Sequence, residues 1–440
     1  MLNYIWLGLV VAAVLLGGWN NHLDEVVKNA FDLAKAAVMD IALPLSAIMT
    51  VWLGVMRLAE KSGLVFLLAR ALRPVLRWLF PEVPPDHPAM GSMVMNIAAN
   101  MLGLLNAATP LGLRAMADLQ KLNPIPGTAT NAMCTFLTVN TASIQLIPVT
   151  AIAILAAAGG NNPTAIIGTS IVATVIAQIT GLTAVKILEK LPVFRPQSGA
   201  VVESEKPAPE TSPLPGASDA SPPSPLSVGR RIVLLVFFGF FVIFFVKLIA
   251  PAEAGLPSVG IFTRIVKAIS IIAIPFFLSF FPLYAALHRI KVYEEFVEGA
   301  KEGFAVAIRI IPFLVTILTA VGMFRGAHGI ELLARWFKPF LDFVGFPPEL
   351  LSLALMRPLS GSGSVALVSD VVKTYGPNHI YSMMAGTILG SSETTFYVIA
   401  VYFGSVGIRR TRHAVPAGLL ADLASLIASV AICRLVFSHL

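Results

Sequence analysis

Apolar runs of membrane-crossing length recur along this 440-residue chain, and several are interrupted near their middles by polar residues. Unbroken runs occupy residues 2–19, 41–56, 166–187, 232–249, 265–287, 305–323 and 414–437. A helix needs about 20 such residues to cross ~30 Å of hydrocarbon, so each run predicts a spanning helix. The first is expected to be a retained helix, because no Lys or Arg precedes it and no small-residue cleavage site follows. Runs 128–157 and 379–403 are as long, but Asn140-Thr141-Ala142-Ser143-Ile144-Gln145 interrupts one and Ser391-Ser392-Glu393-Thr394-Thr395 the other. Residues 348–373 differ again. Arms 349–356 and 365–373, each about half a span, flank Arg357-Pro358-Leu359-Ser360-Gly361-Ser362-Gly363-Ser364. Neither arm can cross, so the pair predicts a re-entrant hairpin whose tip is covered by protein or lines a water-filled cavity. Residues 90–113 hold a second broken segment, with Asn96, Asn100, Asn106 and Thr109 around the helix breakers Gly103 and Pro110.

Three segments are amphipathic. Residues 20–35 approach the second span. Residues 64–80 place Arg70, Arg73 and Arg77 on one face, as suits a helix lying at the headgroups, and 330–344 repeats that pattern. Between the halves, residues 195–229 are rich in Pro, Ser and Ala with few large apolar residues, which predicts a disordered linker. The expected domains are therefore 1–194, the linker 195–229, a connecting transmembrane helix within 230–261, and 262–440.

The order of elements after Ile41 recurs after Ala305, and polar landmarks recur with it. Pro44 and Arg57 match Pro312 and Arg325; Asp118 and Lys121 match Asp370 and Lys373; Asn140-Thr141 matches Ser392-Glu393. The first half is expected to cross four times, so the extra span at 232–249 turns the second half over. That predicts nine spans and two antiparallel repeats, the inverted arrangement that builds sites near the membrane midplane. Basic residues concentrate in the loops on one side, notably Arg70, Arg73, Arg77, Arg230, Arg231, Arg409, Arg410 and Arg412, which puts the N-terminus and the linker in the cytoplasm.

Composition agrees. The chain is 56% hydrophobic and 12% charged, with mean hydropathy +0.81, against about 25% charged in soluble domains. The bilayer is its expected partner. The net charge of +7 is spread over segment ends, with no nucleic-acid-binding motif. Cys134 and Cys433 are far apart in apolar runs, and with no CxxC and no Cys/His pair neither a disulfide framework nor a zinc site is indicated, so no metal site and no cofactor is expected.

The candidate solute-binding residues are the polar groups at the four interruptions: Asn96, Asn100, Asn106, Thr109, Asn140, Thr141, Ser143, Gln145, Arg357, Ser360, Ser362, Ser364, Ser391, Ser392, Glu393, Thr394 and Thr395. Any one of them is explained by interhelical hydrogen bonding. Their joint position at helix breaks favours a binding constellation, with helix ends offering donors and free carbonyls. No histidine lies in these tracts, so no nucleophile–base pair and no enzyme activity is expected. Glu393 stands out as a carboxylate in the middle of an apolar span, suited to couple protons or a cation or to pair with Arg357. Asp118 and Asp370, near hairpin ends, are expected to fix helix termini.

At Tyr293-Glu294-Glu295-Phe296-Val297-Glu298-Gly299-Ala300, Ile310-Ile311-Pro312, Arg357-Pro358-Leu359-Ser360-Gly361 and Val401-Tyr402-Phe403-Gly404-Ser405 the chain resembles spore maturation protein B. The region around Asn96–Pro110 resembles spore maturation protein A, so the whole looks like a fusion of the two. The resemblance implies an all-α, polytopic bacterial inner-membrane protein with Gate (nucleoside-recognition) domains, a group that also includes nucleoside transporters. It implies a permease moving a small polar solute, nucleoside-like by family, through alternating access. The alternatives are a non-transporting membrane scaffold of the spore-maturation type and a metal-ion permease, the latter weakened by the lack of Cys or His at the hairpins. Homo-oligomerisation is left open. No P-loop motif is present, which excludes a fused GTPase of that kind.

Overall fold

The structure is a computed structural model that describes residues 2–102, 105–194, 226–250, 261–329, 332, 335–336, 339, 341 and 345–437. Most of the expected linker and of the amphipathic segment at 330–344 lies outside the described residues. The described chain is helical, without a named strand. Helices α1 (Leu2–Trp19), α2 (Leu23–Ala36), α3 (Leu43–Lys61) and α4 (Leu64–Leu79) open the first half. The hairpin helices α5 (Pro88–Met101) and α6 (Leu105–Lys121) follow, then α7 (Asn131–Thr141), α8 (Val149–Ala157) and α9 (Ile166–Leu188). Helix α10 (Val228–Ile249) leads to α11 (Ile261–Leu287) and α12 (Val292–Gly326). A second hairpin comprises α13 (Leu351–Met356) and α14 (Gly361–Tyr375), and α15 (Ile380–Ser391), α16 (Thr395–Ser405) and α17 (Ala414–Val436) close the chain.

Four helical stretches among the described residues are long and apolar enough to cross a membrane alone: Pro163–Leu188, Val228–Ile249, Ile261–Leu287 and Ala414–Val436. The interrupted pairs α7/α8 and α15/α16 are each too short singly, as a polar break in the middle of a run requires. Helix α10 buries none of its residues, and among the described residues its phenylalanine rings pair with one another and with those of α11, as a helix facing lipid would. Helix α4 turns Val65, Ala69, Leu76 and Leu79 inward and leaves Arg70, Arg73 and Arg77 exposed, matching the amphipathic reading.

Two sequence expectations change in detail. Residues 20–35 are not a separate approach segment. Helix α2 runs through a π-helical turn, Ala37–Ala42, directly into α3. Pro44 therefore lies inside one long helix rather than at the start of a span, and its missing N–H is accommodated by the widened turn just before it. The counterpart is α12, equally continuous through Pro312. Pro110 does not break the first hairpin either. It sits one turn inside α6, where a single intrahelical bond is lost; the other expected breaker, Gly103, lies outside the described residues.

The repeat is visible as reciprocity. The turn before α7 meets the turn before α17, where Ala129 N–H donates to the Arg410 carbonyl at 3.0 Å and Arg409 N–H to that of Gly127 at 2.9 Å. Its mirror is the turn between α8 and α9 meeting the turn before α15, where Asn161 N–H donates to Asn378 Oδ1 at 2.9 Å. Likewise α16 packs on α6 as α8 packs on α14, and α17 packs on α7 as α9 packs on α15. Each contact occurring twice with the halves exchanged is the signature of a two-fold relation. Equivalent helices run antiparallel. Arg412, just before α17, donates to the Phe194 carbonyl just after α9 at 2.7 Å, and Arg57 near the end of α3 bonds Glu295 near the start of α12 at 3.0 Å. The repeats are therefore inverted.

The α3–α12 seam depends on backbone contact. A Cβ at Gly299 would lie 2.5 Å from the Leu53 carbonyl oxygen and 2.8 Å from Arg57 Cβ. Gly299→Val should force the helices apart at a cost of about 1–3 kcal/mol, read as a lowered melting temperature of the detergent-purified protein; an unchanged melt would show that this seam is loose.

Candidate functional site

The two mid-membrane breaks meet. Glu393 N–H donates to the Thr141 carbonyl at 2.7 Å, so the unwound backbone of one repeat satisfies that of the other. Each hairpin tip is tied to the break in its own half: Leu146 N–H to the Met101 carbonyl, and Phe396 N–H to that of Pro358, both at 3.0 Å.

Around the second tip lies a cavity of about 190 Å³ lined by Gln145, Thr150, Arg357, Gly361, Leu389 and Glu393, among others. Its walls come from the first-half break, the second hairpin tip and the second-half break. The Arg357 side chain is 3% exposed. It donates through Nη2 to the Leu389 carbonyl at 3.1 Å and through Nη1 to Thr394 Oγ1 at 3.4 Å, while its Nε has no partner. Glu393 is half-buried and accepts from Gln145 Nε2 at 2.7 Å. Arg357 and Glu393 interact electrostatically without a hydrogen bond between them. Ser360 caps α14, accepting from Gly363 N–H at 3.0 Å; its Oγ lies 3.3 Å from Ser362 Oγ, and Ser364 Oγ donates back to the Ser360 carbonyl. These serines shape the tip and leave Gly361 against the cavity.

Asp422 was missed by sequence reasoning, which set Glu393 apart as the carboxylate of an apolar span. It projects from α17, is 2% exposed, accepts from Thr395 Oγ1 and leaves Oδ1 without a partner. It lies within electrostatic reach of both Arg357 and Glu393. The signal was available, since Asp422 breaks a run as apolar as the one around Glu393. Ser391 faces the same helix and shares its hydroxyl with Ser425 and Ser429 at 2.7 and 3.1 Å. Ser392 is fully enclosed near it.

The first hairpin builds a separate polar network, and none of its described residues lines that cavity. Asn96 Nδ2 donates to the Ala108 carbonyl at 2.7 Å and to Tyr402 Oη at 3.3 Å, while its Oδ1 has no partner. Asn100 Nδ2 donates to Asn140 Oδ1 at 2.9 Å, and Tyr402 Oη donates to the same oxygen at 3.4 Å. Tyr402 comes from α16 of the other half and stacks on Phe136. It fits because α6 carries glycine opposite it: a Cβ at Gly112 would lie 2.2 Å from Tyr402 Oη. Thr141 is buried with an unpartnered hydroxyl, and the Ser143 carbonyl accepts from Thr174. Thr109 is half-buried on α6, and the Asn106 side chain lies outside the described residues. The expected single convergence is thus two networks joined through the α7 break. The aspartates near the hairpin ends are held by charge: Asp118 by Lys121 and the Ser92 hydroxyl, Asp370 by Arg325.

Antiparallel repeats, hairpins that turn back inside the bundle and unwound midpoints define a multi-pass, all-helical membrane protein, and the Gate family model, described as nucleoside recognition, matches residues 42–158. The chain is 45% identical over 179 residues to spore maturation protein A of Bacillus subtilis (strain 168), covering 41% of this chain and 91% of that protein. It is 39% identical over 174 residues to spore maturation protein B of the same organism, covering 40% of this chain and 98% of that protein. The chain belongs to the family of spore maturation proteins A and B and carries a counterpart of each in one polypeptide. A solved structure, the Alcanivorax borkumensis YdaH transporter, covers all of this chain and 98% of its own at 13% identity and TM-score 0.37.

Tyr402→Phe removes the hydroxyl that bridges Asn96 and Asn140 and should cost about 1–3 kcal/mol. Gly112→Ala should cost more, because the added methyl collides with the ring. Thermal unfolding of the purified variants measures both, and a Gly112→Ala melt equal to wild type would contradict the wedge.

Proposed function

We propose that this protein is an inner-membrane permease that moves a small polar solute by alternating access, with the cavity at Arg357 and Glu393 as its binding site. The observation that carries the reading is that unwound segments of both inverted repeats wall one cavity holding a buried cation and a carboxylate. Binding groups placed at the seam between repeats can be exposed to either side as one repeat rocks on the other. At about 190 Å³ the cavity is smaller than the ~300–1,000 Å³ of pockets that enclose drug-sized ligands. It suits a small acid or a nucleobase-sized group, and a whole nucleoside would need it to widen. Arg357 Nε offers an unused donor to an acidic or carbonyl oxygen, while Gln145 and Glu393 recognise a donor. The polar groups among the described lining residues suit recognition of a solute.

Two carboxylates, Glu393 and Asp422, face one guanidinium. One carboxylate is thus left without a matching guanidinium inside a low-dielectric bundle, which suits a proton or a cation as coupling partner. Under the positive-inside reading the N-terminus and linker lie in the cytoplasm, and residues 1–194 and 262–440 form the A-like and B-like halves.

A thermal-shift screen of the purified protein against nucleosides, small carboxylic acids and divalent cations should single out one class. That stabilisation should disappear in Arg357→Gln and weaken in Ser362→Ala. With the solute in hand, Glu393→Gln in proteoliposomes should lower uptake at least about tenfold, the effect of a lost interaction worth ~1.4 kcal/mol, and flatten its pH dependence. Full uptake with an unaltered pH profile would remove Glu393 from coupling. A protein that binds none of these classes, with function sensitive on the linker and amphipathic arms instead, would be a scaffold.

A further inference from the structure

Where the C-terminal end of α12 meets the first repeat, two histidines and a glutamate converge. Helix α1 ends at Trp19, and a tight turn with Asn21 at φ 60° delivers His22 to the start of α2. Glu25 stands one turn further along α2. His328 comes from the second repeat, just beyond α12, where the chain also takes a left-handed residue at φ 57°. His22 Nδ1 lies 3.4 Å from Glu25 Oε1, and His328 Nε2 lies 4.0 Å from Glu25 Oε2. The two imidazoles sit edge to face with centroids 5.2 Å apart. One donor atom from each residue falls within 4.8 Å of the other two.

We infer that His22, Glu25 and His328 form a site for a divalent transition-metal ion of the zinc class, tying the first repeat to the end of α12. Zn–N and Zn–O bonds of about 2.0–2.1 Å in a tetrahedron put neighbouring donor atoms ~3.3 Å apart. The His22–Glu25 separation of 3.4 Å is close to this value, and the His328–Glu25 separation of 4.0 Å lies ~0.7 Å beyond it. Imidazole nitrogens select zinc-like ions over magnesium or calcium, which take oxygen ligands. All three side chains are partly exposed, so solvent can fill the fourth position and the ion has an entry path.

The backbone holds the three together before any ion arrives. Gly326 lets α12 touch α2, since a Cβ there would lie 2.7 Å from the Glu25 carbonyl oxygen. An ordinary surface ion pair would account for His22 and Glu25, and such a pair contributes only about 0–1 kcal/mol. It would not account for a second imidazole brought to the other carboxylate oxygen from the opposite repeat.

The test uses full-length protein purified without a histidine tag and stripped with EDTA, titrated first with Co²⁺ and then with Zn²⁺. One Co²⁺ per chain with the intense visible bands of a four-coordinate site, displaced by Zn²⁺, is expected. Glu25→Gln and His328→Asn should each weaken uptake by at least about tenfold, the loss that even an outer partner's removal brings. Asn tolerates the left-handed backbone at position 328, so this variant folds where a bulkier one could fail, and its metal-free melting temperature serves as the control. Absence of stoichiometric uptake by the wild type, or uptake undiminished in both variants, overturns the site.

Discussion

An unwound backbone inside hydrocarbon must find partners for its N–H and C=O groups, and this structure is arranged around that requirement. The break after α7 and the break before α16 meet each other through Glu393 N–H and the Thr141 carbonyl. Because each half supplies what the other lacks, neither repeat is complete alone. The inverted pairing is therefore a condition for having breaks at all. The hairpin tips follow the same rule, each tethered by a single backbone bond to the nearer break.

Once broken helices are tolerated, their side chains and free backbone ends become available. Near the second tip they enclose a cavity with Arg357, Glu393 and Gln145 on its wall. Near the first they close on Tyr402, which fills the space that α6 leaves at Gly112. The two halves have thus used one architecture differently. The first hairpin is plugged by an aromatic side chain from the other half, while the second borders a cavity.

Much of this was legible in the chain itself. Arms of half a span's length on either side of Arg357–Ser364 pointed to a hairpin over a kinked core helix, and polar tracts in the middle of long apolar runs pointed to breaks. The in-order prolines, arginines and aspartates exposed the repeat. What escaped reading depended on residues hundreds of positions apart. Nothing in the vicinity of Tyr402 announces that it reaches Asn96, 306 residues earlier. His22 and His328 look like unrelated loop residues until α2 and α12 are laid side by side. The continuity of α2 with α3 was hidden for a different reason. Pro44 marks a helix start in most contexts, and only the π-helical turn before it allows the helix to pass through.

Helix α10 touches little besides α11 and buries nothing, yet it determines how the molecule is assembled. Spore maturation proteins A and B are separate polypeptides in Bacillus subtilis, whereas here a counterpart of each lies in one chain. A greasy strap joining them fixes their ratio at one to one and raises each half's local concentration around the other, as any short tether does. Its sequence need satisfy only lipid, so it is free to drift so long as it remains apolar and of the right length. The join thus imposes stoichiometry while asking nothing of the packed interior.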